Sequence, residues 1–286
     1  MRLPRLGPVI IIRASQIKIY NPIILLIILF PLTPTFAGEL LLTGKFTQGG
    51  LVKGNADGAT LVTLDGRNIS ITPNGDFIFG FSVDAANEAI LEVQYANGSK
   101  ETKLLSIASR QWNIQRIDGL PNEMVTPPPE TLSRIRGENI AIGNVRKRNT
   151  PEPWAWEIFK WPVKGRITGV FGSRRILNGQ PRQPHFGIDI AAPMGTVVVA
   201  AASGLVALAE RDMYFTGGTV ILDHGYGLTS VYSHLSEVSV SIDEFVKVGT
   251  QIGMVGDTGR VTGPHLDWRI NWFEIRLDPA FLVPPM

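Results

Sequence analysis

Pro184-His185-Phe186-Gly187-Ile188-Asp189-Ile190 decides how the second half of this chain folds. His185 and Asp189 stand four residues apart, a spacing that would place both on one face of a helix. The neighbours argue against a helix: Pro184 precedes the pair, Gly187 interrupts it, and Ile188-Asp189-Ile190 alternates as a strand does. The segment therefore reads as a loop that bends into a strand. From Trp154 onward, glycine and β-branched residues recur with little helical period, as in Gly169-Val170-Phe171-Gly172 and in 196–201, 218–222 and 251–256. A compact β-sheet domain over 154–286 is the expectation.

All four histidines fall in this half, and three sit in short segments that read together: the one above, Val231-Tyr232-Ser233-His234-Leu235, and Thr262-Gly263-Pro264-His265-Leu266-Asp267-Trp268. His265 and Asp267 are two apart on an expected strand, so their side chains share a face. The chain has no cysteine. Any zinc must then be held by imidazole and carboxylate, and a catalytic site needs three such ligands and a water.

Taken in this order, a His-x3-Asp, a Tyr-x-His-Leu and a Thr-Gly-Pro-His-Leu, with the glycine-rich tract 248–259 between the last two, resemble the lysostaphin/LytM-type zinc peptidases. These hydrolyse peptide bonds in bacterial peptidoglycan. The resemblance covers roughly 161–278. It implies Zn²⁺ as cofactor, His185 and Asp189 as the first two zinc ligands, and His234 and His265 as catalytic histidines, with the division of labour between those two left open. The family's third ligand is a histidine; here Asp267 takes its place, a carboxylate being a legitimate zinc ligand. Two carboxylates offset the charge of the ion, so its water is expected to be less acidified than at a site with two imidazoles.

The front half reads differently. Strand-like runs at 40–46, 59–64, 68–71, 76–81, 89–95 and 103–107 alternate with the turn pairs Asp65-Gly66, Asn74-Gly75 and Asn97-Gly98. The expectation for 38–119 is an immunoglobulin-like β-sandwich acting as a spacer, targeting or substrate-binding module. Residues 120–153 read as a linker: Pro127-Pro128-Pro129 is a stiff break, Leu132, Ile135 and Ile140 fit a short helix, and Arg146-Lys147-Arg148 reads as a solvated face. The whole is thus expected to be mostly β.

Residues 1–37 carry Arg2, Arg5, Arg13 and Lys18 with no acid, then an apolar run at 23–32 and Thr35-Phe36-Ala37-Gly38. This is the pattern of a signal peptide cleaved after Ala37; uncleaved, it would be a membrane anchor. Of the 27 basic residues four lie in this leader, leaving 23 against 25 acidic ones, a net of −2 in place of the formal +2. That balance gives no case for nucleic-acid binding. Export without disulfides suits a bacterial periplasmic protein with real cores.

Among the remaining residues, His224 and Asp223 read as surface turn residues beside Gly225 and Gly227, and Trp268, Trp272 and Phe273 as packing. Tyr232 reads as core or cleft. Arg174, Arg175 and Arg182 read as solvated loop charge or as contacts for stem-peptide carboxylates. Two functions follow from the resemblance. One is an exported zinc endopeptidase that cuts peptidoglycan cross-links, with stem peptides and wall-remodelling proteins as partners. The other is a catalytically degenerate relative that activates wall amidases.

Overall fold

A computed structural model describes residues 39–119 and 125–286. The leader expected at 1–37 lies outside them. Seven strands make up the front region: β1 (Leu41–Gly44), β2 (Leu51–Asn55), β3 (Ala59–Leu64), β4 (Arg67–Ile69), β5 (Asp76–Gly80), β6 (Glu88–Tyr95) and β7 (Lys100–Ser106). They form two antiparallel sheets, ordered β1-β2-β5 and β4-β3-β6-β7. Along β6, exposed and buried residues alternate, and Ala89, Leu91, Val93 and Tyr95 turn into the core. Asp65 and Gly66 both adopt positive φ (48° and 76°), the backbone a two-residue hairpin of type I′ requires.

Strand β2 is not among the expected runs: Leu51–Asn55 holds a lysine and a glycine at its centre and shows no alternation. Gly54 pairs with Phe77 on β5, and a Cβ there would come within 2.2 Å of the Phe77 ring. The glycine permits the ring to lie across the strand.

Beyond the front sheets, β8 (Ile114–Ile117) pairs in parallel with β10 (Arg174–Leu177), which pairs in turn with β11 (Gln180–Pro181). Helix α1 (Leu132–Arg146) is longer than the short helix expected. Ile135 and Val145 are buried, while Ile140, expected on its apolar side, is exposed. Glu138 accepts the Tyr214 backbone N–H and pairs with Arg134 one turn earlier, which docks the helix on the sheet behind it. Arg146 also departs from the solvated face expected of the 146–148 run: it closes the helix, half-buried, with its Nε inaccessible to water. No helix among the described residues is long and apolar enough to cross a membrane.

The back region is one ten-stranded sheet. Its strands are β9 (Arg166–Gly169), β12 (Ile188–Ala191), β13 (Val197–Val199), β14 (Gly204–Met213), β15 (Gly217–Asp223), β16 (Leu228–Val238), β17 (Phe245–Val246), β18 (Gln251–Val255), β19 (His265–Trp272) and β20 (Ile275–Leu277). The main path runs β17-β14-β15-β16-β19-β12-β9, with β18 bridging β13 and β16. Strands β15 and β16 are buried almost throughout and rich in Val, Ile and Leu, as strands covered on both faces are. One apolar cluster extends from Leu40 through Phe77, Leu91, Trp268 and Trp272 to Leu277, so the two β regions share a core. Arg110 joins them again, pairing with Asp278 at 2.8 Å.

Candidate metal centre and cleft

The centre is built on the antiparallel pair β12 and β19. In their register Asp189 stands directly opposite Asp267, and Ala191 opposite His265. His185 reaches the same place from the loop before β12, through the bend expected from Pro184 and Gly187. One ligand atom each from His185, Asp189 and Asp267 lie within 4.8 Å of one another. Like charges placed opposite each other across two strands are destabilising, and here both carboxylates are almost wholly buried. Something must compensate them.

Two arginines do so in part. Arg175 on β10 donates to Asp189 Oδ2 at 2.8 Å. Arg269, two residues beyond Asp267 on the same strand face, donates from Nε to both Asp267 oxygens at 3.0 Å, and its Nη2 also donates to Oδ2. Burial opposes ionisation at both carboxyls, but the outcome goes the other way. His185 and Arg175 hold Asp189 below its ordinary range, and Arg269 and His185 hold Asp267 far below it. Both are therefore ionised at neutral pH. Two glycines make room for them. A Cβ on Gly169 would come 2.2 Å from Asp189 Oδ2, and one on Gly187 would come 2.5 Å from Asp267 Oδ1.

His185 supplies the test of whether a metal suits this set. Its Nε2 is buried, has no aligned hydrogen-bond partner, and stands 3.0 Å from Asp189 Oδ1. Leaving such a nitrogen unsatisfied is costly, and a divalent cation shared by the imidazole and the two carboxylates removes that cost. Nitrogen and oxygen donors in this number fit zinc.

The other two histidines flank the cluster. His234 sits in β16 with φ +68°, a left-handed conformation that is strained for a residue with a side chain. Its position explains it: the β15/β16 register shifts between Gly218 and Val220, so Ser233 and His234 together face Thr219 as a β-bulge. The bulge re-aims the imidazole into the cleft. His234 Nδ1 lies 2.8 Å from the Thr258 carbonyl, and His265 Nδ1 lies 2.8 Å from the Gly263 carbonyl. A carbonyl only accepts, so both rings carry a proton on Nδ1 and turn Nε2 away from it. Burial, with the His265 ring centred 4.9 Å away, draws His234 down to about 4 against the pull of Asp267. It is neutral at pH 7. All five groups line a cleft of about 380 Å³.

His224 does not behave as a surface turn residue. It is fully buried, with Nδ1 2.7 Å from the Ser203 carbonyl and Nε2 2.7 Å from Ser230 Oγ, which in turn lies 3.0 Å from the Tyr232 hydroxyl. The turn itself is as expected, Asp223 Oδ1 accepting the Gly225 N–H, but chain from before the sheet covers it: Tyr226 N–H donates to the Thr150 carbonyl. Tyr232, Trp268 and Trp272 are core residues. Arg269 escaped the reading of the sequence, although the Asp-x-Arg spacing on a strand was a usable signal for a same-face pair.

A β-sheet domain holding a His/Asp/Asp cluster, with two histidines beside it in one cleft, brings together the kinds of group that a metal-dependent hydrolase uses. Comparison with known proteins gives the family. Residues 183–279 match Peptidase family M23, so the back region carries a peptidase domain of LytM type. It is 35% identical over 169 residues to the cell division protein DipM of Caulobacter vibrioides, covering 56% of this chain and 25% of that one. It is 39% identical over 114 residues to the peptidoglycan DD-endopeptidase ShyA of Vibrio cholerae, covering 39% and 26%. The chain thus spans about a quarter of the length of these curated relatives. The crystal structure of a peptidase M23 protein from Pseudomonas aeruginosa superposes with a TM-score of 0.65 at 28% identity, over 84% of this chain and 95% of that one. That likeness extends well beyond the peptidase domain.

Proposed function

We propose that this chain is an exported zinc metalloendopeptidase that hydrolyses peptide cross-links of bacterial peptidoglycan. One observation carries the reading: the convergence of His185, Asp189 and Asp267 ligand atoms within 4.8 Å, with a buried imidazole nitrogen left unsatisfied among them. The name of the Vibrio relative, a peptidoglycan DD-endopeptidase, supports the substrate. The leader pattern supports export to the periplasm.

In this reading His185, Asp189 and Asp267 hold the ion. Zinc, when bound, supplies Lewis-acid chemistry, polarising a carbonyl and acidifying water. Arg175 and Arg269 fix the two carboxylates, as groups behind metal ligands do, and offset their charge. His234, neutral and with Nε2 free to accept, is suited to take a proton from the attacking water. His265, whose Nε2 lies 3.8 Å from Asp189 Oδ1, stands beside the ligands and serves the oxyanion that develops on the scissile amide. Donating from Nε2 to that oxygen requires a proton there as well as on Nδ1.

A second reading is favoured by a specific feature. Arg269 occupies both oxygens of the one ligand that departs from the family pattern, and one relative is named for cell division rather than for hydrolysis. In that reading the cleft binds without cutting and the chain regulates wall amidases. Incubation of the purified chain with peptidoglycan, with and without a chelator, separates the two. The enzymatic reading predicts soluble peptide-linked fragments that disappear with the chelator; intact peptidoglycan in both samples would favour the regulator.

A further inference from the structure

The two carboxylates of the centre are held in different ways. Arg269 stands on the same strand as Asp267 and donates to both of its oxygens, so β19 sets that pair by itself. Arg175 comes to Asp189 from another sheet, the one ordered β11-β10-β8, and reaches Oδ2 through Nη2 at 2.8 Å. Contact through one nitrogen does not fix the plane of a guanidinium, whose fork is built to donate at more than one point. The Arg175 Nε is buried and has no hydrogen-bond partner.

A group able to fix it lies alongside. Strands β8 and β10 run in parallel with Gln115 registered against Arg175. Both side chains line the metal cleft, so they share one face of their sheet. Gln115 Oε1 is likewise buried without a hydrogen-bond partner. A buried donor and a buried acceptor, each costly when left unsatisfied, thus stand side by side on neighbouring strands.

The strand that presents Gln115 is well seated. Trp112, just before β8, packs edge-on to Phe171 with ring centroids 5.8 Å apart, and a Cβ on Gly172 would come within 2.0 Å of its ring. The Arg110 guanidinium covers Trp112 at 4.5 Å while pairing with Asp278. These contacts hold the start of β8 against the chain that leads into β10. Gln115 and Arg175 both precede residues 183–279, so the support behind Asp189 comes from outside the segment that matches the peptidase family.

We infer that Gln115 is a positioning residue for the metal centre: its Oε1 accepts the Arg175 Nε–H, which fixes the guanidinium on Asp189 and so aims that carboxylate. The inference rests on the reading of His185, Asp189 and Asp267 as zinc ligands. Groups behind a metal ligand set its orientation, and losing one costs roughly 10–100-fold in metal affinity.

The test is the zinc affinity of the full chain, measured by competition with a chromophoric chelator, with folding checked by circular dichroism. Gln115→Leu removes the acceptor while keeping most of the bulk, and should weaken zinc binding by about tenfold or more. Gln115→Met, unbranched like glutamine, repeats the test if the leucine variant folds poorly. Arg175→Lys keeps the positive charge but lacks the guanidinium Nε–H. In its background Gln115→Leu should change zinc affinity by no more than about twofold, since the contact they share is already gone. A merely structural role for Gln115 gives the same loss in both backgrounds, and that result overturns the inference. Zinc affinity in Gln115→Leu within about twofold of the parent also overturns it, while leaving the zinc reading in place. A parent that binds no zinc removes the zinc reading, and the inference with it.

Discussion

The two β regions share one apolar cluster, yet they bury different chemistry. Among the described residues of 39–107, Thr63 is the one buried polar residue apart from tyrosine. The back sheet buries His185, Asp189, His224, His234, Asp267 and Asn271, together with several serines and threonines. Burying polar and charged groups is costly unless each finds a partner. A region built only to fold has no reason to bear that cost. The contrast teaches where to look for function, and it divides the back sheet again: His224 is satisfied at both ring nitrogens, whereas His185 Nε2 is not.

Removing a partner from the buried charge should have the largest effect. Arg269→Ala leaves Asp267 ionised and facing Asp189, and should cost roughly 3–5 kcal/mol in the presence of a chelator. Adding Asp267→Asn to this variant removes the stranded charge and should recover much of the loss. Chemical denaturation of the parent, the single and the double variants measures this. A loss below about 1 kcal/mol, the range of exposed pairs, would show that the contrast between the regions is not electrostatic.

Truncation in the front region should be comparable or smaller, and different in kind. Leu91 is fully buried on β6, so Leu91→Ala should destabilise by about 2–5 kcal/mol through the cavity it leaves. Zinc content of the folded fraction should not change. Parallel loss of zinc would mean that the front region shapes the centre as well as supporting it.

The smallest effect concerns His224. Burial lowers its pKa from 6.5, so below pH 6.5 the unfolded chain takes up a proton that the folded chain refuses. Stability therefore falls as pH drops below 6.5, with a slope from this group of up to ~1.4 kcal/mol per pH unit. His224→Asn should be less stable at neutral pH but flatter in this window. An unchanged slope in denaturation curves from pH 6.5 to 5 would assign the acid sensitivity to other groups.

How much of this was legible in the sequence varies with the physics involved. Strand β3 matches its expected range, because Ala59–Leu64 is bounded by glycine turns that act locally. The loop-to-strand bend at His185 and Asp189 was legible for the same reason, through Pro184 and Gly187. Strand β2 was hidden, since its glycine answers to Phe77 on another strand. His234 was legible as a residue but not as a bulge, because the register shift depends on how β15 and β16 align. The burial of His224 and the clamp on Asp267 were not read: the first depends on distant chain covering a turn, the second on knowing that both side chains turn inward.

In the proposed function Asp267, clamped as it is by Arg269, completes a zinc site with His185 and Asp189. The direct measurement is zinc per chain, by elemental analysis, in the full parent protein and in Asp267→Ala, both checked for folding by circular dichroism. The expected result is about one zinc in the parent, as a single catalytic site holds, and loss of most of it in the variant. Equal zinc in the two folded proteins would contradict the ligand assignment, and a folded parent that takes up no zinc would contradict the metallopeptidase reading itself.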